Sequence, residues 1–469
     1  MKEMKIHFIG IGGIGVSALA QYYLVKGHEV SGSDLASSEI TEALKKKGAE
    51  ISIGEHKAEN LPKRVNLVIY SPAVQPDNPE LKEAKKRKIN LQTYPQALGE
   101  LTKHYYTIAV SGTHGKSTTT SMLGLLLVKA GLDPTVIVGT KLKEFGNSNC
   151  KVGKSKYLVI EADEHFASFL NYWPKIIVLT NIEADHLDYY KNLNNILKAF
   201  KKYIGHLPED GYLVANKDDK NIKRAANSIY RLAKSIDYSL KQPEAGKLRK
   251  ILKVPGEHNV SNALAALMVA RTLNIPDKVS FKSLSEYRGV WRRFEEKTII
   301  WRGKKIITIS DYAHHPTEIK VTLKAAREKY LYPPKFPPAQ ISKKFVAGEE
   351  RKLRRARKKI WCVYQPHQYH RTYCLFAGFV KVFRQAPMDK TIIIDIYDVA
   401  GREEKNIKKK VSSEKLVKAI NKKNVIYLPK EKVLNYLKES SQFDVLIIMG
   451  AGDIYKLINV TKSNRKCSK

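Results

Sequence analysis

Lys116 and Ser117 close the stretch GTHGKS, and that pairing suits the handling of a nucleotide's phosphates. Gly112 and Gly115, with Thr113 and His114 between them, let the backbone turn tightly enough for successive N–H groups to face one anion. The β-branched run 107–110 predicts a strand before the loop, and the apolar-periodic segment opening at Ser117 and Thr118 predicts a helix after it. The helix N-terminus adds unsatisfied donors and the positive end of its dipole. Lys116 can then reach the outer phosphates, and the Ser117 hydroxyl can ligate Mg²⁺. A full Walker pattern carries one more glycine, where this chain has Val110.

Carboxylates follow at a useful distance. The strand expected over 157–160 delivers Glu161 and Asp163 to its carboxyl end, a position suited to a Mg²⁺ ligand opposite a phosphate loop. A second apolar run, IIVLTNIEADHLDYY, delivers Asn181, Glu183, Asp185 and His186 to the same edge. Asp185 suits a helix N-cap as well as chemistry, whereas His186 in this company reads as catalytic or metal-binding. Asn259 and Asn262, after His258 in the first turn of an alanine-rich helix, can both donate and accept. They suit an adenine edge or simple capping.

An earlier glycine loop, GIGGIG, follows the strand expected over 5–9 and places Gly10, Gly12 and Gly15 in a GxGxxG frame around Gly13 and Ile14. Asp34 lies nineteen residues past Gly15, near the spacing at which an acidic residue meets a ribose hydroxyl in dinucleotide folds. Alone this suggests a nicotinamide dehydrogenase, but such a protein has no use for the second phosphate loop and its carboxylates. Ser71, at the end of the strand read over 67–74, suits either turn chemistry or a ligand. Two phosphate loops about a hundred residues apart imply two nucleotide-like ligands.

These residues need α/β units to hold them, and strand–loop–helix alternation predicts three domains: a Rossmann-like one over 1–104, a central P-loop domain over 105–291 and a Rossmann-like one over 292–469. Arg292, Arg293 and Phe294 sit at the expected hinge near 291. The third domain's strands deliver Asp311, Tyr312, His314 and His315, then His367, Tyr369, His370 and Arg371 from a strand over 358–372, and lastly Gly450, Gly452 and Asp453. Adjacent residues on an extended chain diverge, which disfavours a metal on the His314–His315 pair. Residues 331–359, proline-rich and then basic, interrupt the order and read as a solvated insertion.

Composition sets the outer limits. At 469 residues the chain has ample core, and no run approaches a membrane span. The N-terminus runs straight into a strand, so no leader is expected, and four scattered cysteines suggest neither disulfides nor zinc. A cytoplasmic protein is the expectation. The net charge of +37 raises nucleic-acid binding, but Lys and Arg are spread over the whole length without a recognition motif, so specific nucleic-acid binding is not expected.

With the motifs assembled, the chain resembles the Mur ligases of peptidoglycan synthesis from about residue 5 to 457. GIGGIGVS, SGTHGKSTTT, IEADE, TNIEADHLD, PGEHNVSNALAAL, WRRFE, DYAHHPTEI, QPHQYHRT and GAGD stand in family order. The resemblance implies an ATP-dependent amide ligase with Mg²⁺, whose third domain closes over the other two. It reassigns the first glycine loop (Gly12, Gly13, Ile14 and Gly15, with Asp34 and Ser71) to a UDP-sugar. The implied reaction joins L-alanine to the lactoyl carboxylate of UDP-N-acetylmuramate through an acyl phosphate, the alternative being the recycling ligase that adds a murein tripeptide. It implies that Lys116, Glu161 and His186 carry the chemistry, with Ser117, Glu161 and His186 on metal. Asn259, Asn262, Arg293 and Asp311 join residues 112–118 on ATP, and His315, His367 and Arg371 face the amino acid. A monomer or weak homodimer is expected. Gln368 stands where the family's HRYxRT segment has its first arginine, and Phe200 stands near where sister ligases carry a modified lysine.

Overall fold

The computed structural model describes residues 3–226, 234–330, 357–398, 406–440 and 442–457. Residues 331–356, most of the insertion read at 331–359, lie outside the described residues.

The first sheet contains β1 (Lys5–Ile9), β2 (Glu29–Asp34), β3 (Glu50–Ile53), β4 (Leu67–Tyr70) and β5 (Asn90–Thr93), in the order β3-β2-β1-β4-β5 and parallel throughout. Parallel neighbours need crossovers, which the helices Ile14–Val25, Glu39–Lys46 and Pro79–Lys86 help supply. The order reverses between β1 and β4, and a crevice at such a switch point is where open sheets of this kind bind ligands. β4 ends at Tyr70, short of the strand read over 67–74, because the next residues turn: Val74 N–H donates to Ser71 O at 2.9 Å.

The second sheet contains β6 (Tyr106–Ser111), β7 (Thr135–Leu142), β8 (Ser148–Lys151), β9 (Tyr157–Ala162), β10 (Ile176–Leu179), β11 (Tyr212–Asn216) and β12 (Lys234–Tyr238). Their order is β12-β11-β10-β6-β9-β7-β8, with only β7 and β8 antiparallel. The phosphate-loop strand β6 therefore lies between the two strands that carry the acidic motifs. Behind it runs the helix Lys116–Lys129, whose residues from Ser117 to Leu127 are buried except Leu125. Its second half is apolar on every face because it is buried all round, while its buried first turns are Ser and Thr.

The third sheet contains β13 (Glu295–Trp301), β14 (Lys304–Asp311), β15 (Ile360–Tyr364), β16 (Lys390–Ile393), β17 (Val425–Tyr427) and β18 (Val445–Met449), ordered β13-β14-β18-β15-β16-β17. It is not wholly parallel, as expected from sequence: β13 and β14 form a hairpin. Arg302 and Gly303 have φ of 48° and 77°, the two positive values that a tight two-residue hairpin turn requires. A second correction concerns residues 358–372. The strand stops at Tyr364, and Tyr369–Cys374 is helical, so Tyr369, His370 and Arg371 project from a helix. Pro366 cannot donate to a ladder, and Gln368 at φ 70° redirects the chain.

The three-sheet α/β architecture expected from sequence is thus present. Two compact units contain it. One comprises residues 1–184, 192–253 and 259–290, with the first two sheets. The other comprises 185–191, 254–258 and 291–469, with the third. Within the first unit, buried amides join its sheets. Gln21 Nε2 donates to Asn149 Oδ1 at 2.7 Å, and Asn149 Nδ2 donates to Ser17 Oγ at 3.0 Å and to the Ile14 carbonyl. Among the described residues, no helix is long and apolar enough to cross a membrane.

Candidate active site

The second sheet shapes its phosphate loop with contacts that leave no room for side chains. Gly112 has φ 132°, and a Cβ there would come within 2.2 Å of Thr180 Oγ1 and 2.8 Å of the Asn181 carbonyl. Gly115 has φ 84°, and a Cβ would meet Asn262 Oδ1 at 2.5 Å. The residues after β10 brace the loop. Asn181 Oδ1 accepts from His114 N–H at 2.9 Å, Thr180 Oγ1 donates to His114 O at 2.6 Å, and Glu183 N–H donates to Thr113 Oγ1 at 2.9 Å. His114 Nε2 lies 3.6 Å from Glu183 Oε2. Asn181 and Glu183, read from sequence as chemistry, thus also hold the loop's shape.

The Gly115 contact sets up a measurable outcome. Gly115→Ala forces a non-glycine residue into the left-handed region, at about 1–2 kcal/mol, and displaces the Asn262 amide. ATP binding is expected to weaken about tenfold. Titration calorimetry of the single variant with ATP checks this. Unchanged affinity in the single variant rules out this loop as the ATP site.

Lys116 opens the helix behind the loop. Its Nζ donates to Gly112 O at 2.7 Å and to Glu164 Oε2 at 2.8 Å, with Asp163 Oδ1 at 3.6 Å. Burial alone would lower its pKa, but the carboxylates of Glu164, Asp163 and Glu161 outweigh burial and raise it, so the ammonium stays charged. Ser117 Oγ donates to Glu161 Oε1 at 3.0 Å, while Glu161 Oε2 accepts from Gly139 N–H on β7 at 2.8 Å. A hydroxyl and a carboxylate in contact beside a phosphate loop are two hard oxygen donors, the set that Mg²⁺ takes alongside phosphate oxygens. These residues fit the cation.

In the first sheet, the glycine loop crosses the switch point, and a Cβ on Gly10 would come within 3.2 Å of Ser71 Cβ. Four of its amides are committed to the fold. Gly10 and Ile11 N–H donate to Ser33 O at 2.9 and 3.0 Å, Gly12 N–H to Asp34 Oδ2 at 2.8 Å, and Gly13 N–H to Gly10 O at 3.1 Å. The donors left to face an anion are those of the helix's first turn, Ile14 and Gly15 onward. Asp34 therefore holds the loop itself, a use that ribose spacing does not suggest. Tyr94 packs against Gly15, its ring carbons within 2.9 Å of where a Cβ would stand.

Asn259 and Asn262 belong to the first unit, and the second unit holds Asp185, His186 and the candidates of the third sheet. Arg371 Nε donates to Asp185 Oδ1 at 3.1 Å, and both side chains are buried. Burial by itself pushes the Asp185 pKa up. The Arg371 guanidinium, with His186, His314 and His315, reverses this and holds the carboxyl well below its usual range. His367 Nδ1 lies 3.3 Å from Arg371 Nη1, and its ring stacks on Tyr397 at 5.5 Å. His186, at φ 50°, precedes the short helix Leu187–Tyr190, and its N–H donates to Asp185 Oδ1 at 2.7 Å. His315 is buried, its Nδ1 accepting from Thr317 N–H at 3.3 Å. Asp185, His186, Gln368, His370, Arg371 and Cys374 line one cavity.

Arg293 lies 5.1 Å from the Tyr312 ring centroid and 3.7 Å from Glu318 Oε1. Asp311 accepts from Phe294 N–H at 2.7 Å and Ala313 N–H at 2.8 Å. Burial pushes the Asp311 pKa up to about 6 despite Arg293 and both backbone donors. Its value in the fold exceeds the ordinary carboxyl value of 3.8, so its contribution to stability is full below about pH 4 and is lost as pH rises through about 6. Urea midpoints of the wild type are expected to fall across that window by an amount equivalent to at most about 3 kcal/mol, and those of Asp311→Asn to lack this component. Parallel pH profiles for the two proteins would sink the assignment.

Sequence reasoning missed two residues here. Glu164 is the buried partner of Lys116, and its only signal was membership of the acidic run that supplied Glu161 and Asp163. Arg292, read only as part of a hinge, inserts its guanidinium between elements: it donates to the carbonyls of Gly450 and Gly452 and lies 4.4 Å from the Tyr455 ring centroid.

A phosphate loop backed by a lysine and a hydroxyl–carboxylate pair, with a second glycine loop on a separate parallel sheet, suits an enzyme that brings ATP to a second phosphate-bearing substrate. The chain belongs to the Mur ligase family. The family's catalytic-domain description matches residues 5–106, and its middle-domain description matches 110–270. A UDP-N-acetylmuramate–L-alanine ligase of Clostridium tetani is 43% identical to it over 96% of each chain. The crystal structure of a UDP-N-acetylmuramate–alanine ligase from Thermotoga maritima aligns over 100% of both chains at 27% identity and a TM-score of 0.76. A murein peptide ligase from Psychrobacter arcticus, at 21% identity, shares the fold with a TM-score of 0.69 over 98% of this chain and 99% of its own.

Proposed function

We propose that this chain is an ATP-dependent ligase that joins L-alanine to the lactoyl carboxylate of UDP-N-acetylmuramate in peptidoglycan precursor synthesis. The observation that carries the reading is the loop that sets Lys116 beside Ser117 and Glu161, supported by 41–43% identity over nearly the whole chain to relatives named as L-alanine ligases.

In the reaction a carboxylate oxygen of the sugar attacks the γ-phosphorus of ATP, and ADP leaves. The amine of L-alanine then attacks the acyl carbon, phosphate leaves, and the amine loses its proton. Two anions must be brought together in the first step, so the protein's task is positioning and charge neutralisation. Lys116 supplies fixed positive charge at the outer phosphates, and the loop amides with the helix N-terminus supply directed donors. A Mg²⁺ ion held by Ser117 and Glu161 would neutralise further phosphate charge. We assign His186 to a second metal position, Asn259, Asn262, Arg293 and Asp311 to the nucleotide, and His315, His367 and Arg371 to the amino acid and substrate carboxylate. The first glycine loop, with Asp34 and Ser71, takes the UDP-sugar. We draw the domain limits at 104 and 291, and place the enzyme in the cytoplasm, with its nucleotide substrates, as a monomer or weak homodimer.

The test is phosphate release with ATP, Mg²⁺ and UDP-N-acetylmuramate, adding L-alanine, glycine, L-serine or murein tripeptide in parallel. Release that needs the sugar nucleotide and runs fastest with L-alanine is expected. Preference for the tripeptide transfers the assignment to recycling, and silence with every amine overturns the ligase reading.

A further inference from the structure

Glu80 is a fully buried carboxylate with no place in the scheme above. It lies in the first turn of the helix Pro79–Lys86, where Asn78 Oδ1 caps the Glu80 and Leu81 amides at 2.9 and 3.2 Å. Its Oε2 accepts from His7 Nε2 and from Ser33 Oγ, each at 2.8 Å. Its Oε1 accepts from His56 Nδ1 at 2.6 Å, with Asn60 Nδ2 at 3.4 Å. The other ring nitrogen of His7 meets Ser31 Oγ at 2.9 Å. One carboxylate thus binds β1 through His7, β2 through Ser33 and the segment after β3 through His56.

Ser33 is also the residue from which the glycine loop hangs. Its carbonyl accepts the Gly10 and Ile11 amides, and its neighbour Asp34 accepts the Gly12 amide. The path from Glu80 to the loop therefore runs through a single residue: side chain to Ser33 Oγ, then Ser33 O to two successive loop amides. Burying a carboxylate is costly unless its oxygens are satisfied, and a well-packed apolar side chain would serve stability as well. A carboxylate with four hydrogen-bond partners at this point instead ties the middle of β1 to the end of β2, from which the loop hangs.

We propose that Glu80 is a positioning residue for the sugar nucleotide: through Ser33 it fixes the glycine loop in the shape that receives the diphosphate, and so sets affinity for that substrate. This rests on the assignment of the loop to the UDP-sugar. Glu80→Gln keeps volume but removes the charge and replaces one acceptor oxygen by a donor, so His56 keeps its bond only by changing tautomer. Ser33→Ala is the gentler change, cutting the single link to the loop while leaving the backbone carbonyl.

The experiment measures KM for UDP-N-acetylmuramate, KM for ATP and kcat in Glu80→Gln, Glu80→Asp, Ser33→Ala and Gly12→Ala. In Gly12→Ala a new Cβ would press on Asp34 Oδ2 at 2.8 Å. The expected result is a rise in KM for the sugar nucleotide of about tenfold in Glu80→Gln and about threefold in Ser33→Ala, with ATP KM and kcat within about twofold. Glu80→Asp, which keeps both oxygens and the charge, is expected to fall between wild type and Glu80→Gln. A rise in Gly12→Ala without one in Glu80→Gln and Ser33→Ala overturns the proposal alone. No rise in Gly12→Ala overturns the loop's assignment. Equal losses for both substrates mean a purely structural role and also overturn the proposal. If Glu80→Gln does not fold, Ser33→Ala decides.

Discussion

Replacing Lys116 by methionine is expected to lower kcat for sugar-dependent phosphate release by at least about 10³-fold, the scale seen when a fixed charge is removed from a phosphoryl-transfer site. Methionine keeps the unbranched stem, so the side chain still fills its channel between the loop and the acidic run. What disappears is a charge that the structure holds firmly. Nζ is fixed by Gly112 O and Glu164, and the surrounding carboxylates keep it protonated. The effect should grade with phosphate number, because Lys116 serves the outer phosphates: ATP affinity is expected to fall much more than ADP affinity. Lys116→Arg is not a conservative control, since a planar fork cannot occupy the position of a compact ammonium. Equal weakening of ATP and ADP would falsify the assignment to the outer phosphates and leave Lys116 as a support for the loop.

The second large effect is expected at Arg371. Arg371→Met removes the guanidinium from a buried pair and leaves the Asp185 carboxylate in place, at a cost of about 3–5 kcal/mol. The carboxyl is held far below its usual pKa largely by Arg371, so its own contribution to stability is present above about pH 4 and is lost on acidification. The variant's deficit should therefore be large at neutral pH and shrink as pH falls, because burial without Arg371 pushes the Asp185 pKa up and the orphaned carboxyl takes up a proton. Asp185→Asn on the Arg371→Met background removes the buried charge and is expected to recover most of the lost stability. Activity separates structure from chemistry. If Arg371 meets a substrate carboxylate, as proposed, the double variant remains inactive despite its recovered fold. Activity that returns with stability would confine Arg371 to holding Asp185.

Much of this protein was determined locally. The two glycine loops, the strands before them and the helices after them follow from φ requirements and apolar periodicity that act over a few residues, and they stand where the sequence reading put them. The ordered set of motifs likewise implied the family, because each motif is contiguous and its order survives without coordinates. Tertiary structure decided how the polar groups were used. Nothing in the spacing of Lys116 and Glu164 says that a buried pair forms, and nothing in Asp34 says that its carboxylate accepts a loop amide rather than waiting for a ribose. Asn181 and Glu183 became braces because β10 lies beside β6, a neighbour relation set by crossovers. The antiparallel pairing of β13 with β14 was not anticipated, and the helix Tyr369–Cys374 was read as strand, for a related reason. Each depends on one or two positive-φ residues, Arg302 with Gly303 and Gln368, and an arginine or glutamine carries no local signal for that conformation. Glu80, silent in sequence, draws three segments together from positions up to 73 residues away. Hydrogen bonds of that range are invisible to periodicity, since they depend on which strand ends the fold brings side by side.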